Sequence, residues 1–145
     1  MSGTPKIVID ASVLVKWFVQ EEGSQDALKV RDKYLKAELL LIAPHLLPFE
    51  ALNTLLHKSL FTNEELQLAS EAIGAYGIRL YGLEGEYSKK TTDIAYEAGI
   101  TIYDASYLAL AVMEKATLYT FDRTLGESLK TQYADSVKTP AELPT

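Results

Sequence analysis

The sequence predicts an α/β fold in which helices cover both faces of a mainly parallel central sheet. Residues 7–9 and 39–43 are short, continuous apolar runs, the pattern of strands buried on both faces. Helical patterns separate these two strands, so the chain is expected to return by a crossover that makes them parallel. The first strand stops at Asp10, at the strand end where open α/β folds bind ligands.

A first helix is expected directly after that strand. The chain turns within residues 10–12, with Ser12 as a candidate N-cap, and Gly23 breaks the helix. Trp17 and Phe18 make one side of the helix bulky and are expected in the core. Asp10 has two interpretations here, a ligand-site carboxylate or a cap, because Asp is itself a preferred N-cap residue.

The later elements follow from caps, breakers and apolar periodicity. They are expected as helix 24–37 capped by Ser24, helix 45–58 with Pro48 in its first turn, helix 62–74 opened by a capping box at Thr62, strand 78–81, helix 86–98 ended by Gly99, helix 104–113, strand 117–121, helix 123–130, an edge strand near Val137 and an irregular tail over 140–145. No linker or repeat interrupts them, so one domain over residues 1–145 is predicted.

The helix over residues 45–58 carries two different faces. Its apolar face holds Phe49, Leu52 and Leu56, and a polar stripe beside it holds Glu50, Asn53 and His57. A helical Glu is more often solvated than functional, and His57 is expected to be a surface or capping histidine. The pattern alone therefore leaves the role of Glu50 open.

Composition excludes several classes of protein. The 145 residues and 48% hydrophobic content suit one domain with a substantial core. No apolar run approaches the roughly 20 residues of a membrane span, and the first residues lack the apolar region of a signal peptide. We therefore expect a cytoplasmic protein with no membrane association.

Charge and cysteine content limit the chemistry further. The chain has no cysteine, so disulfides and thiolate metal sites are excluded, and carboxylates with His45 and His57 remain as ligands. Any bound metal is expected to be hard and oxygen-ligated. The net charge of −6 argues against a broad basic face for nucleic acid, so a nucleic-acid substrate would need help from cations.

Two predicted strands end in an acid, at Asp10 and at Asp122. The two carboxylates lie near each other if their strands are neighbours, because the carboxyl ends of parallel strands share one edge. Clustered carboxylates repel unless they share a proton or a cation, and oxygen-only ligation favours Mg²⁺ or Mn²⁺. A third acid, Asp104, begins a small-residue helix, where an N-cap role is the competing interpretation.

The sequence resembles the PIN-domain ribonucleases, and among them the VapC-type toxins of toxin–antitoxin pairs. The resemblance covers essentially the whole chain and rests on four short motifs in order. These are Ile9-Asp10-Ala11-Ser12, Pro48-Phe49-Glu50-Ala51-Leu52-Asn53, Tyr103-Asp104-Ala105-Ser106-Tyr107-Leu108-Ala109-Leu110-Ala111 and Leu118-Tyr119-Thr120-Phe121-Asp122. It implies a PIN-like three-layer sandwich with four to five strands.

The resemblance also implies the site residues. The family's acidic quartet falls on Asp10, Glu50, Asp104 and Asp122; supporting hydroxyls fall on Ser12 and Thr120, and a neighbouring polar position falls on Asn53. The implied reaction is Mg²⁺- or Mn²⁺-dependent hydrolysis of RNA phosphodiesters. Asp10 and Asp104 would be the direct ligands, while Glu50 and Asp122 would bind a second ion or orient water. Candidate phosphate contacts are Lys16, Lys58, Arg79 and Arg123.

Partners are implied as well: a homodimer, and an antitoxin that reaches the acids with a basic residue. Apolar residues beyond the needs of one sheet face are expected to form these surfaces, namely Val13, Leu14, Trp17, Phe18, Leu66, Leu68, Ala69 and Ile73.

Three alternatives remain open. The chain could be a PIN nuclease of RNA processing or decay without an antitoxin, or a noncatalytic α/β binding module whose acids are only caps. A phosphohydrolase with Asp10 as nucleophile, of the haloacid-dehalogenase kind, expects a second Asp where this chain has Ser12. No Gly-rich phosphate loop supports nucleotide binding.

Overall fold

The computed structural model describes residues 3–128 and 132–145. Its helices and strands are, in chain order, β1 (Lys6–Ile9), α1 (Ala11–Val15), α2 (Ser24–Leu35), β2 (Leu40–Pro44), α3 (Leu46–His57), α4 (Asn63–Ala75), β3 (Arg79–Tyr81), α5 (Gly85–Ala98), α6 (Ile102–Met113), β4 (Thr117–Tyr119), α7 (Arg123–Ser128) and β5 (Val137–Lys138).

Within those residues, five strands form one parallel sheet in the order β3-β2-β1-β4-β5. β1 pairs with β4 so that Ile9 lies opposite Tyr119, and the carboxyl ends of these two central strands are neighbours. The predicted parallel α/β fold is confirmed. The condition that would bring Asp10 and Asp122 to one edge of the sheet is also met.

Helices cover both faces of the sheet. Val8 and Ile9 are consecutive in β1, so their side chains point to opposite faces, yet both are 0% exposed. α6 packs against β1, β2 and β4, and α1 packs against α3. The expected three-layer sandwich is therefore confirmed.

α6 is the most buried helix next to the sheet. Every side chain from Ala105 to Ala111 is buried, because small and apolar residues let the helix approach its neighbours closely. α5 packs along α6, and the Tyr87 hydroxyl donates to the Ser106 carbonyl oxygen at 2.8 Å. This contact joins α5 to α6.

The first two helices differ from the prediction. α1 ends at Val15 instead of continuing to Gly23, and α2 ends at Leu35, before Ala37. Gly23, with a φ of 87°, is the N-cap of α2 in place of Ser24. The Ser24 hydroxyl instead accepts from the Glu21 amide and donates to a carbonyl oxygen of the preceding loop.

The early end of α1 has a packing reason. After Val15 the chain turns so that Trp17 is buried and its indole N–H donates to the Ala27 carbonyl oxygen at 2.9 Å. A buried indole N–H needs an acceptor, and Ala27 of α2 supplies it. Trp17 is in the core as expected, and Phe18 is half-buried against it.

Several local predictions hold. Thr62 and Glu65 form the predicted capping box of α4, and Gly99 ends α5 in the left-handed conformation. The tail is more regular than expected, because Thr139 and Glu142 cap a short 3₁₀ turn. The predicted helix 123–130 is seen as Arg123–Ser128, and Lys130 lies outside the described residues. Over the described ranges, no helix combines the length and hydrophobicity needed to cross a bilayer.

Candidate active site

Asp10 lies between β1 and α1, and both of its carboxylate oxygens are held. Oδ1 accepts from the Ser12 amide at 3.0 Å and from the Ser12 hydroxyl at 2.5 Å, while Oδ2 accepts from the Thr120 hydroxyl at 2.5 Å. Asp10, and not Ser12, is therefore the N-cap of α1. An N-cap Asp accepts hydrogen bonds from the free amides of the first helical turn. Asp10 can therefore cap α1 and still lie at the carboxyl end of β1.

The two hydroxyls also join the loops that follow β1 and β4. The Phe121 amide donates to the Ser12 hydroxyl at 2.9 Å, and the Asp122 amide donates to the Thr120 hydroxyl at 3.0 Å. Ser12 and Thr120 thus contact Asp10 directly, at positions where they can hold it. The same bonds fix the backbone of Asp122.

Burial controls the protonation of Asp10. Desolvation raises the pKa of its carboxyl group from 3.8 to about 6, although the hydrogen bonds from Ser12 and Thr120 oppose the shift. The nearby charge of Asp122 raises this pKa further. At neutral pH the ionised carboxylate is therefore present at a cost, which a cation would reduce.

Asp104 lies in the first turn of α6 and is not its cap. Thr101 is the N-cap, and its hydroxyl accepts from the Asp104 amide at 3.0 Å. The interpretation of Asp104 as an N-cap is thus wrong, because Thr101 already satisfies the free amide. Burial raises the pKa of the Asp104 carboxyl group, and the charge of Asp122 raises it further.

Asp122 follows β4 and is exposed. Its Oδ1 accepts from the Leu125 amide at 3.2 Å at the start of α7. Its charge also raises the pKa of both Asp10 and Asp104. Three acids from separate parts of the sequence therefore interact electrostatically at one edge of the sheet.

Glu50 joins this group through a tyrosine. It is half-buried on α3, and its Oε1 accepts from the Tyr107 hydroxyl at 2.6 Å. Burial raises the pKa of the Tyr107 hydroxyl, and Glu50 and then the charge of Asp10 raise it further. The sequence prediction did not include Tyr107, although its position three residues after Asp104 on one helix was an available signal.

A hard divalent cation fits this donor set chemically. All four acids offer oxygen ligands, and the repulsion of Asp122 with Asp10 and with Asp104 is the kind that such a cation relieves. Over residues 3–128 and 132–145, however, no three acidic or histidine side chains form a ready-made metal cage. Mg²⁺ often binds through one or two carboxylates and keeps several waters, so the donor set fits without a cage.

The remaining predicted site residue is Asn53, on α3. Asn53 is exposed one turn after Glu50, and in the described chain no hydrogen bond joins its side chain to the four acids. His57 is exposed, and its Nδ1 is 2.8 Å from the Asn53 carbonyl oxygen. His57 is thus a surface histidine as expected, while the role of Asn53 stays a prediction.

The four candidate phosphate contacts differ in their surroundings. Lys16 and Lys58 both bind Glu21, at 3.1 and 3.0 Å, so their charges are partly neutralised. The Arg79 guanidinium lies over the Tyr81 ring at 5.1 Å. Arg123 is exposed beside Asp122, and none of the described side chains forms an ion pair with it.

An apolar groove of about 640 Å³ lies between α3 and α4 and reaches Glu50. We call it the α3–α4 groove; it is lined by Leu46, Phe49, Glu50, Leu52, Asn53, Leu56, Leu66, Gln67, Ser70 and Tyr103. Phe49 is 75% exposed and Leu56 55% exposed. The expectation that α1 supplies surplus apolar surface is wrong, because Val13 and Leu14 are fully buried.

Comparison with known proteins agrees with this fold. The family model described as PIN domain matches residues 7–127. Ribonuclease VapC3 of Pyrobaculum aerophilum is 30% identical over 129 residues, covering 84% of this chain and 93% of that protein.

Two solved structures show the same fold at lower identity. A toxin–antitoxin complex from Klebsiella pneumoniae has a TM-score of 0.68 at 15% identity, covering 94% of this chain and 99% of that one. VapC20 of Mycobacterium tuberculosis, a Sarcin-Ricin loop cleaving toxin, has a TM-score of 0.62 at 14% identity, covering 84% and 94%. The chain belongs to the PIN domain family, and the predicted resemblance to its VapC-type members is confirmed.

Proposed function

We propose that the protein is a Mg²⁺- or Mn²⁺-dependent ribonuclease that hydrolyses RNA phosphodiester bonds. The observation that carries this proposal is the convergence of Asp10, Asp104 and Asp122 at one edge of the sheet, where burial raises the pKa of the first two and the charge of Asp122 raises it further. The name of the relative from Pyrobaculum aerophilum, Ribonuclease VapC3, supports the same activity.

Each side chain has a stated role in this proposal. Asp10 and Asp104 hold the metal ion, and Glu50 and Asp122 bind a second ion or orient water. When bound, the metal ion supplies Lewis-acid stabilisation of the phosphate and activation of the attacking water. Ser12 and Thr120 keep the Asp10 carboxylate in one orientation through the bonds that they donate to its two oxygens.

The test of this function is cleavage of a single-stranded RNA by Asp104→Asn. This variant keeps the volume of the side chain and removes a charge that the α6 cap does not need, so the fold is retained. Asp93→Asn on the exposed face of α5 is the matched control. We expect Asp104→Asn to lose nearly all cleavage and Asp93→Asn to keep it. Full cleavage by Asp104→Asn, or by the parent protein in excess EDTA, would contradict the proposal.

We propose further that the protein is the toxin of a VapBC-type pair and that its antitoxin occupies the α3–α4 groove. The groove is mostly apolar and has Glu50 in its lining, so an amphipathic helix with a terminal basic side chain is complementary to it. The Klebsiella pneumoniae structure, itself a toxin–antitoxin complex, supports a partner of this kind. A basic group at Glu50 would form a charge-assisted hydrogen bond where the metal is expected.

Competition tests the antitoxin proposal. We expect Mn²⁺ to weaken binding of an amphipathic peptide that ends in arginine, and Phe49→Asp to abolish binding. Leu35→Asp is the control, because Leu35 is 61% exposed on α2 and does not line the groove. Peptide affinity that ignores both Mn²⁺ and Phe49→Asp would show that the regulatory surface lies elsewhere. Light scattering tests the proposed homodimer.

One of the three alternative functions is set aside, and two stay open. The match to the PIN domain family sets aside the haloacid-dehalogenase interpretation. A PIN nuclease without an antitoxin stays open, and a small upstream gene for a DNA-binding protein would decide against it. Asp10 and Asp122 do cap helices, as a noncatalytic module requires, so Mn²⁺ binding coupled to cleavage is the measurement that separates the two.

A further inference from the structure

Tyr107 is a buried side chain whose only described hydrogen bond goes to an acid of the candidate site. It is 3% exposed, and its hydroxyl donates to Glu50 Oε1 at 2.6 Å. This distance lies in the range of charge-assisted O–H···O⁻ bonds. The bond joins α6 to α3, which are far apart in sequence.

The two partners differ in freedom. Tyr107 lies within the buried part of α6, where close packing restricts its ring. Glu50 is half-buried on α3 in the lining of the α3–α4 groove, and its flexible side chain has several rotamers open to it. The rigid tyrosine therefore decides where the flexible carboxylate lies.

The stoichiometry of the bond is also informative. A tyrosine has one hydroxyl proton, and Tyr107 gives it to Oε1 of Glu50, so Oε2 is left to bind another group.

We propose that Tyr107 is a positioning residue, which fixes one oxygen of Glu50 so that the other can bind a divalent ion. This inference rests on the proposed nuclease function. It assigns to Tyr107 a task beyond packing, because the acceptor of its buried hydroxyl is the side chain of a candidate ligand and not a backbone carbonyl oxygen.

Tyr87 provides the matched control. It is also a buried tyrosine beside α6, but its hydroxyl donates to the Ser106 carbonyl oxygen, which is not a candidate ligand. Tyr107→Phe and Tyr87→Phe remove the same atom from similar surroundings. Only the first removes a bond to a carboxylate.

The test is calorimetric titration of Mn²⁺ into the parent protein, Tyr107→Phe, Tyr87→Phe, Glu50→Ala and the double variant Tyr107→Phe/Glu50→Ala. We expect Tyr107→Phe to weaken Mn²⁺ binding about 10-fold to 100-fold, the usual effect of losing a residue that orients a ligand. Tyr87→Phe should bind as the parent does. The double variant should bind as Glu50→Ala does, because Tyr107 acts only through Glu50.

Melting in EDTA provides a second readout that needs no metal. Tyr107→Phe and Glu50→Ala should shift the melting temperature non-additively when they are combined, because both remove the same hydrogen bond. Parent-like Mn²⁺ affinity in Tyr107→Phe, or additive melting shifts, would overturn the inference. Parent protein that binds no Mn²⁺ would instead contradict the proposed metal-dependent function, so the two failures are distinguishable.

Discussion

Replacement of Asp10 by Asn should make the metal-free protein more stable at neutral pH. The pKa of the Asp10 carboxyl group is raised from 3.8 to about 6, chiefly by burial. The folded protein therefore binds this proton more tightly than the unfolded chain does. Between about pH 4 and pH 6 the folded state gives up this proton only at a cost, so the contribution of Asp10 to stability falls as pH rises.

The shift sets the size of the effect. A rise of about two pKa units lowers the unfolding free energy by about 3 kcal/mol at pH values above about 6. Well below about pH 4 the carboxyl group is protonated in both states, and the unfolding free energy is not lowered. Asparagine is neutral throughout, so Asp10→Asn avoids the cost. The Asn side-chain oxygen can still accept from the Ser12 amide, and its NH₂ group can donate to the Thr120 hydroxyl. Any loss of hydrogen-bond energy is the same at every pH.

Urea unfolding in EDTA at about pH 4 and about pH 7.5 measures the effect. The quantity to compare is the difference in unfolding free energy between variant and parent. Other acids cancel in this difference, including Glu21, whose pKa is lowered mainly by Lys58. We expect the difference to move in favour of Asp10→Asn by up to about 3 kcal/mol, or roughly 6–12 °C in melting temperature.

A difference that does not change with pH would refute this reasoning. It would mean that the Asp10 carboxylate is no more costly in the folded protein than in the unfolded chain. A variant that melts well below the parent at both pH values would show instead that Asp10 is mainly a structural cap of α1. We also expect Asp10→Asn to have almost no nuclease activity.

Three further results are expected. Gly23→Ala should lower the unfolding free energy by about 2 kcal/mol in urea titrations, because φ is 87° there and a Cβ would lie 2.7 Å from the Phe121 ring; parent-like stability would contradict the close approach. Thr120→Val removes a bond to ionised Asp10, so the acidic limb of the pH–rate profile should move to higher pH; an unchanged limb would show that Asp10 does not control it. Ca²⁺ should not restore cleavage after chelation, because its looser coordination suits the site poorly; full activity with Ca²⁺ in an RNA cleavage assay would argue against a Mg²⁺-type site.

The sequence alone was enough to predict the parallel α/β fold, since its signals are local. The unbroken apolar run of β1 and the capping box at Thr62 each depend on residues a few positions apart. The same holds for the motifs that carry Asp10 and Asp104, which allowed the family to be recognised. Helix ends were predicted less well. α1 stops at Val15, and Trp17 just beyond it donates to the Ala27 carbonyl oxygen, a long-range contact that helical periodicity does not encode.

Only the tertiary structure decided how the acids interact. The pairing of β1 with β4 makes Asp122 a neighbour of Asp10, and burial shifts the pKa of Asp10; neither is a property of a short sequence window. The bond from Tyr107 to Glu50 joins two residues that are 57 positions apart in the chain. Its discovery required the packing of α3 and α6, because electrostatic and hydrogen-bond energies depend on distance in space and not on distance along the chain.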